Sequence, residues 1–296
     1  MWPALVMLVM DLQDILIWSP FLRAVGIAIL ASVTAILYSE SLFQWTKWLY
    51  LRGKLLRYFP LPENRNILWA FANTLSFTVP VAFYATYFQG DIERSWNFNP
   101  LSIYGNILLY MLLHDAYFFH AHLRLHKSHR LYETFHLMHH DYTHAMNVFA
   151  VTYAEISENF IQVGLPWVCW TWFAGSNVWN WLLPFTLTGY TTLVGHGGYK
   201  SSPYIACFYP LIVPLAFVLG KHMLTAGNHQ THHSHRRYNY ALFFRGWDQL
   251  YGTFRKTEII PHDVDYWKTW LQDKSNSEQG IRWMGKGSGA FIEWGF

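Results

Sequence analysis

Leu131-Tyr132-Glu133-Thr134-Phe135-His136-Leu137-Met138-His139-His140 decides the reading of this chain, because its His-x-x-His-His ending returns at His229-Gln230-Thr231-His232-His233. A pair, His122 and His126, precedes both. Residues at i, i+3 and i+4 share one face of a helix, so each cluster is expected to aim its imidazoles at a single point. Fifteen of the sixteen histidines lie between His114 and His235, and the first 113 residues hold none. Scattered core or surface histidines do not produce that distribution. Neutral imidazole is the commonest metal ligand, and one first-row ion in a catalytic site takes about three or four protein ligands. The eight histidines at these spacings therefore imply two ions.

Of the 296 residues, 52% are hydrophobic and only 13% charged, against about 25% charged in a typical soluble domain. This is the composition of a membrane protein. A net charge of +3 with dispersed basic residues gives no nucleic-acid footprint. A membrane span needs about 20 mostly apolar residues, and the candidates are 21–38, 67–88, 101–120, 160–174 and 178–194. The last two are short and separated only by Gly175, Ser176 and Asn177, so they read as a re-entrant or tightly turned hairpin.

Basic residues concentrate on the cytoplasmic side of membrane proteins. Lys47, Arg52, Lys54, Arg57 and Arg65 follow the first span, whereas the loop after the second holds Arg94 beside Asp91 and Glu93. With the first loop cytoplasmic, the third span and the hairpin both return to that face, and all three histidine clusters share it. The expected organisation is an N-terminal membrane segment over 1–100 and a histidine-box domain over 101–260 with its hairpin at about 160–194. A C-terminal tail covers 261–296.

Residues 1–18 lack the basic start of a signal peptide and are expected to form an interfacial helix. Pro210 and Pro214 interrupt the apolar stretch 205–219, which is expected to lie along the membrane or line a cavity there. Cys169 and Cys207 read as reduced structural thiols. Gly285-Lys286-Gly287-Ser288-Gly289 lacks the strand-then-helix context of a dinucleotide fingerprint. Without a His-Pro-Gly-Gly haem motif, no fused cytochrome b5 is expected.

The boxes have a recognisable setting. They comprise Phe118-Phe119-His120-Ala121-His122 through His126, the stretch 131–140 and His196-Gly197-Gly198-Tyr199. The run from His229 through Tyr240 follows, and then Trp247-Asp248-Gln249-Leu250-Tyr251-Gly252-Thr253. In order and spacing, over roughly residues 105–256, the chain resembles the fatty acid hydroxylase/sterol desaturase superfamily of integral-membrane di-iron oxygenases. Within it, the chain is most similar to the sterol C5-desaturase branch. Departures surround the pocket rather than the boxes. Leu123 follows His122 where the family usually has arginine, Tyr153-Ala154 stands where His-Pro is common, and Ala241 is displaced from a family glycine.

The resemblance implies an all-α integral membrane protein with about four transmembrane helices in two hairpins and a cytosolic, helical, histidine-rich metal domain. It implies that His122, His126, His136, His139, His140, His196, His229, His232 and His233 bind two iron ions, with His120, His144 and His222 as candidate additional or supporting ligands. Ligating histidines need their second ring nitrogen held, usually by a carboxylate or carbonyl. Asp115, Glu133, Glu155, Glu158 and Asp248 are the acids near the boxes, and Asp115, Glu155 and Asp248 are the candidate catalytic residues. Asp115 stands out as an ionisable residue at a span end. Trp167, Trp170, Trp172, Trp179 and Trp181 crowd the hairpin and form a candidate wall for a lipid-entry channel, with ordinary packing as the alternative.

The implied activity is O2-dependent desaturation or hydroxylation of an unactivated C–H position in a sterol or sterol-like lipid. Hydroxyl transfer gives an alcohol and loss of a second hydrogen an alkene. The alternative substrates are a fatty acyl chain, a sphingolipid, a carotenoid or a terpenoid. A metal-binding or transport protein is the reading from a different class, and ligands beyond span ends on one face disfavour it. Electrons would come from a separate donor, cytochrome b5 with its reductase or a ferredoxin. The implied location is the endoplasmic reticulum membrane in a eukaryote or the inner membrane in a bacterium, with the metal site facing the cytoplasm.

Overall fold

The computed structural model describes residues 20–61, 66–88, 95–142 and 146–273. Residues 1–18, the loop charges Asp91, Glu93 and Arg94, Arg65, His144 and the glycine-rich tail lie outside them. The described residues are helical, with isolated bridges but no strand among them.

Helix α1 spans Pro20–Leu51 and α2 spans Ile67–Phe88. They form an antiparallel hairpin in which Ala24 and Ala28 meet Ala82, Ser32 and Thr78 share a 2.9 Å hydrogen bond, and Leu42 and Phe43 reach Ala70. Small residues let the backbones approach closely, which is how helices pack where lipid supplies no hydrophobic drive. Both are long and apolar enough to cross a membrane. Leu68 (87% exposed) and Leu37 (57%) point outward.

α1 continues well past the expected end at Tyr38. The polar residues that lower hydropathy there do not break a helix. Ser39, Ser41 and Thr46 each donate to the carbonyl four residues back, and Gln44 donates to Glu40. Gly53, at φ +65°, then ends the helix in the left-handed conformation that suits glycine.

Helix α3 (Pro100–Lys127) starts on an Asn99 cap, α4 spans Leu165–Phe173, and α5 (Val178–His196) starts on an Asn177 cap. The starts of α3 and α5 are tied together: Ser95 bridges Asn177, Asn177 Nδ2 donates to the Asn97 carbonyl at 2.8 Å, and Trp179 Nε1 donates to that of Trp96 at 3.1 Å. The two helices run parallel, joined by the Ile103–Ile107–Met111 face of α3 and by Leu183, Leu187 and Tyr190 of α5. Their far ends carry His122, His126 and His196, so parallel packing brings these three to one end of the bundle. The returning limb is less regular than a single span, with Ile156–Asn159, a π turn at Phe160–Gly164 and then α4. Gly175 makes the turn into α5 at φ +68°.

Residues 203–222 form short pieces, with Pro210 between them and Pro214 in the first turn of the longest, α6 (Ile212–Leu219). Helix α7 (Ala226–His235) carries the last histidine box, and α8 (Val264–Gln272) closes the described chain. Cys169 and Cys207 are free and exposed.

Candidate metal centre

The nine histidines converge into two adjacent groups. His122, His126, His136, His140 and His232 form one, and His139, His196, His229 and His233 the other. Within each group the nearest ring nitrogens lie within 4.8 Å of one another. The groups touch where the His140 and His233 rings stand 4.6 Å apart.

Each His-x-x-His-His box is divided between the groups rather than aimed at one point. Positions i+3 and i+4 differ by about 100° around a helix and fall on opposite sides of i. In α7, His229 and His233 stay together while His232 turns to the five-histidine group. In the middle box His136 and His140 stay together and His139 crosses over, across a π turn at Tyr132–His136 followed by a 3-10 turn at Met138–Asp141.

Four of the imidazoles have their Nδ1 occupied. His122 donates to the Tyr240 carbonyl, His232 to that of Tyr238 and His196 to that of Thr192, each at 2.8 Å, and His136 donates to Glu158 Oε1 at 2.6 Å. A neutral imidazole that donates from Nδ1 presents a bare lone pair at Nε2. Yet the Nε2 atoms of His122 and His136 face each other at 3.0 Å, and that of His136 faces His126 Nε2 at 2.9 Å. In the second group His196 Nε2 stands 2.9 Å from His229 Nε2 and 3.2 Å from His139 Nε2. Two lone pairs cannot hydrogen-bond, so His122 against His136 is repulsive unless a cation lies between them. Nitrogens bound to one ion at about 2.1 Å, at right angles, would stand about 3.0 Å apart. His232 Nε2 is buried with no protein partner. Donor type, tautomer and spacing all fit a metal.

Electrostatics agree. Burial pulls His136 down to about 3 and His139 to about 4 from the usual 6.5, and burial together with neighbouring imidazoles holds His140, His229, His232 and His233 well below it. Uncharged imidazole is the form that binds metal.

The acids fall into place differently from the sequence expectation. Asp115 Oδ1 accepts from the backbone N–H groups of Leu242, Phe243 and Phe244 at 2.8, 2.6 and 3.4 Å. Asp248 accepts from those of Tyr240 and Ala241 and from the Thr253 hydroxyl. Both therefore fix the loop 238–244, whose carbonyls hold His122 and His232, and touch no imidazole themselves. Glu155 is exposed and precedes a short helix. The carboxylate that reaches a candidate ligand is Glu158, buried to 4% exposure and also bonded by Gln162 Nε2 at 3.0 Å. Glu133 pairs at the surface with His129.

His120 packs on Trp247 and Tyr251, and neither it nor His222 joins a group. Tyr132 and Tyr240, which the sequence did not single out, both pack on His126. Arg57 is fully buried and donates to the carbonyls of Phe59, Gly197 and Met146 at 3.1, 3.0 and 2.8 Å. It thereby anchors the backbone just after His196.

A family model described as fatty acid hydroxylase matches residues 107–253. Human (Homo sapiens) cholesterol 25-hydroxylase is 29% identical over 163 residues, 54% of this chain and 54% of its own. Protein CER1-like 2 of Arabidopsis thaliana is 28% identical over 195 residues, 56% of this chain and 30% of its own. A cholesterol 25-hydroxylase-like protein of Danio rerio is 24% identical over 244 residues, 78% of this chain and 92% of its own. The chain thus spans about half the length of the human protein and under a third of the plant one. No solved structure matches it.

Proposed function

This chain belongs to the fatty acid hydroxylase/sterol desaturase superfamily, and on that footing we propose that it is a membrane-embedded, O2-dependent lipid hydroxylase with a di-iron centre. The observation that carries the reading is the pair of imidazole groups whose Nε2 atoms face one another at 2.9 to 3.2 Å. The five-histidine group would hold one iron and the four-histidine group the other. Bound iron supplies O2 activation and removal of hydrogen from an unactivated C–H bond, chemistry that no side chain here provides alone.

The protein's own part is positional. Glu158 and the carbonyls of Thr192, Tyr238 and Tyr240 hold the rings in one tautomer, Asp115 and Asp248 fix the loop supplying two of those carbonyls, and burial keeps the imidazoles uncharged. The relatives' names support hydroxylation before desaturation and a sterol or other long-chain lipid as substrate. Reducing equivalents come from a separate donor such as cytochrome b5 or a ferredoxin. α1 and α2 form one membrane hairpin, and α3, the Ile156–Phe173 limb and α5 form the rest of the membrane bundle, with the centre on the cytoplasmic face. From Asn99 to His122, α3 covers on the order of 35 Å, enough to cross a hydrocarbon core of about 30 Å. Trp96, Phe98 and Trp179 cluster at the opposite end, as interfacial aromatics do.

The test is metal analysis of the detergent-purified chain beside a His139→Ala/His232→Ala variant. Iron in both groups, lost in the variant, with an oxidised lipid formed under O2 and reductant, is expected. Stoichiometric zinc that persists after reconstitution with iron would overturn the reading.

A further inference from the structure

A mostly apolar cavity of about 260 Å³ adjoins the four-histidine group. His196 and His229 line it, whereas no member of the five-histidine group does. Gly195 keeps it open between them: a Cβ there would stand 3.9 Å from the His229 ring, so any longer side chain would grow over that imidazole. None of the five hairpin tryptophans borders it. Trp167 stacks on Phe185 at 3.6 Å, Trp170 Nε1 donates to the Asn180 carbonyl and Trp172 faces outward at 69% exposure.

The outer wall of the cavity is the proline-containing segment. Ile205, Ala206, Ile212 and Ala216 line the inside. On the other face of α6, Val213, Phe217 and Val218 are 47%, 91% and 68% exposed. A wall apolar on both faces separates an apolar cavity from an apolar exterior, and burying such an exterior in lipid is favourable. The volume is below the roughly 300–1,000 Å³ of pockets that enclose a whole drug-sized ligand, which suits a slender chain better than a complete sterol.

We infer that this cavity takes the aliphatic segment of a membrane lipid, entering past α6, and presents it to the four-histidine group as the substrate-facing half of the centre. The inference rests on the hydroxylase reading and adds both the part of the substrate that is bound and the group it meets. An acyl chain and a sterol side chain offer the same chemistry, and the probes separate them.

Three photoreactive diazirine lipids are cross-linked to the full chain in lipid nanodiscs, and the adducts are mapped by mass spectrometry. One is a palmitate labelled near its methyl end, one a sterol labelled in its side chain and one a sterol labelled in its rings. Chain-labelled probes are expected to mark residues 190–195, 205–216 and 241–243, and the ring-labelled sterol to mark none of them. Ala206→Phe, which fills the cavity without touching a histidine, should cut this labelling about tenfold while thermal melting and metal content stay at wild-type values. Phe217→Leu, on the outer face, should leave it unchanged. Adducts confined to α1 and α2, or labelling of the cavity that Ala206→Phe does not reduce, would overturn the inference. The labelling needs neither iron nor turnover. Cavity adducts without lipid oxidation would therefore uphold the lipid site while refuting the hydroxylase, and oxidation with an unlabelled cavity would uphold the hydroxylase and overturn the site.

Discussion

At the scale of single residues, four acceptors set the tautomers of the candidate ligands they hold: Glu158 and the carbonyls of Thr192, Tyr238 and Tyr240 each accept from one imidazole Nδ1. Asp115 and Asp248 attracted notice as acids near the boxes, yet Asp115 Oδ1 and both oxygens of Asp248 accept from backbone N–H groups of the 240–244 loop. Glu158 lies 22 positions from His136, and only the packing of the Ile156–Asn159 turn on the middle box brings the two together. The sequence sets Glu158 among five acids near the boxes, and the Glu158/Gln162 spacing suits a helical hydrogen bond. Replacing the carboxylate that orients a ligating imidazole lowers metal affinity by about 10–100-fold. Glu158→Gln is expected to show such a loss in chelator competition, and unchanged affinity would remove Glu158 from the centre. Asp248→Asn places an amide N–H against a backbone N–H, so melting experiments should register a loss of about 1–3 kcal/mol.

Elements decide how the ligands are shared. Three of the nine histidines ride on α7, whose start is fixed by a capping box between Thr225 and Asn228. Thr225→Ala should destabilise the protein by about 0.5–2 kcal/mol and weaken metal retention in both groups at once, because His232 serves one while His229 and His233 serve the other. Metal loss from one group alone would contradict this account of α7. Gly227, in its first turn, admits Tyr58 and Thr257: an added Cβ would lie 2.5 Å from the Tyr58 hydroxyl oxygen and 2.9 Å from Thr257 Cγ2. Gly227→Ala is therefore expected to cost about 1–3 kcal/mol through overpacking, read as a lower melting temperature.

On the scale of the whole molecule, burial of so many uncharged imidazoles couples stability to pH. His136 and His139 are held to about 3 and 4, below the usual 6.5. The unfolded chain therefore binds protons below about pH 6.5 that the native one refuses, and stability present above that pH is lost as pH falls toward the folded values. Melting temperatures of the metal-free protein in detergent should drop steeply between about pH 6.5 and 4. A flat profile would mean that these rings are not buried in their neutral form. Arg57 supplies a second global test, since it joins Phe59, Met146 and Gly197 across the fold. Arg57→Met strands those carbonyls at about 1–3 kcal/mol each if they stay buried, and reduced yield of folded protein is expected.

The sequence by itself determined the histidine set, the helical membrane character and the superfamily, because ligand type, spacing and hydropathy are local properties carried by neighbouring residues. It also left the 205–219 stretch either along the membrane or lining a cavity, and Ile205, Ala206, Ile212 and Ala216 line one. Tertiary structure alone decided the rest. The division of each box between two groups, the choice of Glu158 over Asp115, Glu155 and Asp248, and the opening of one group onto an apolar cavity all depend on which helices stand side by side. Hydrogen bonds and cavities are made between segments far apart in the chain, and one chain's residue spacing does not encode those distances directly.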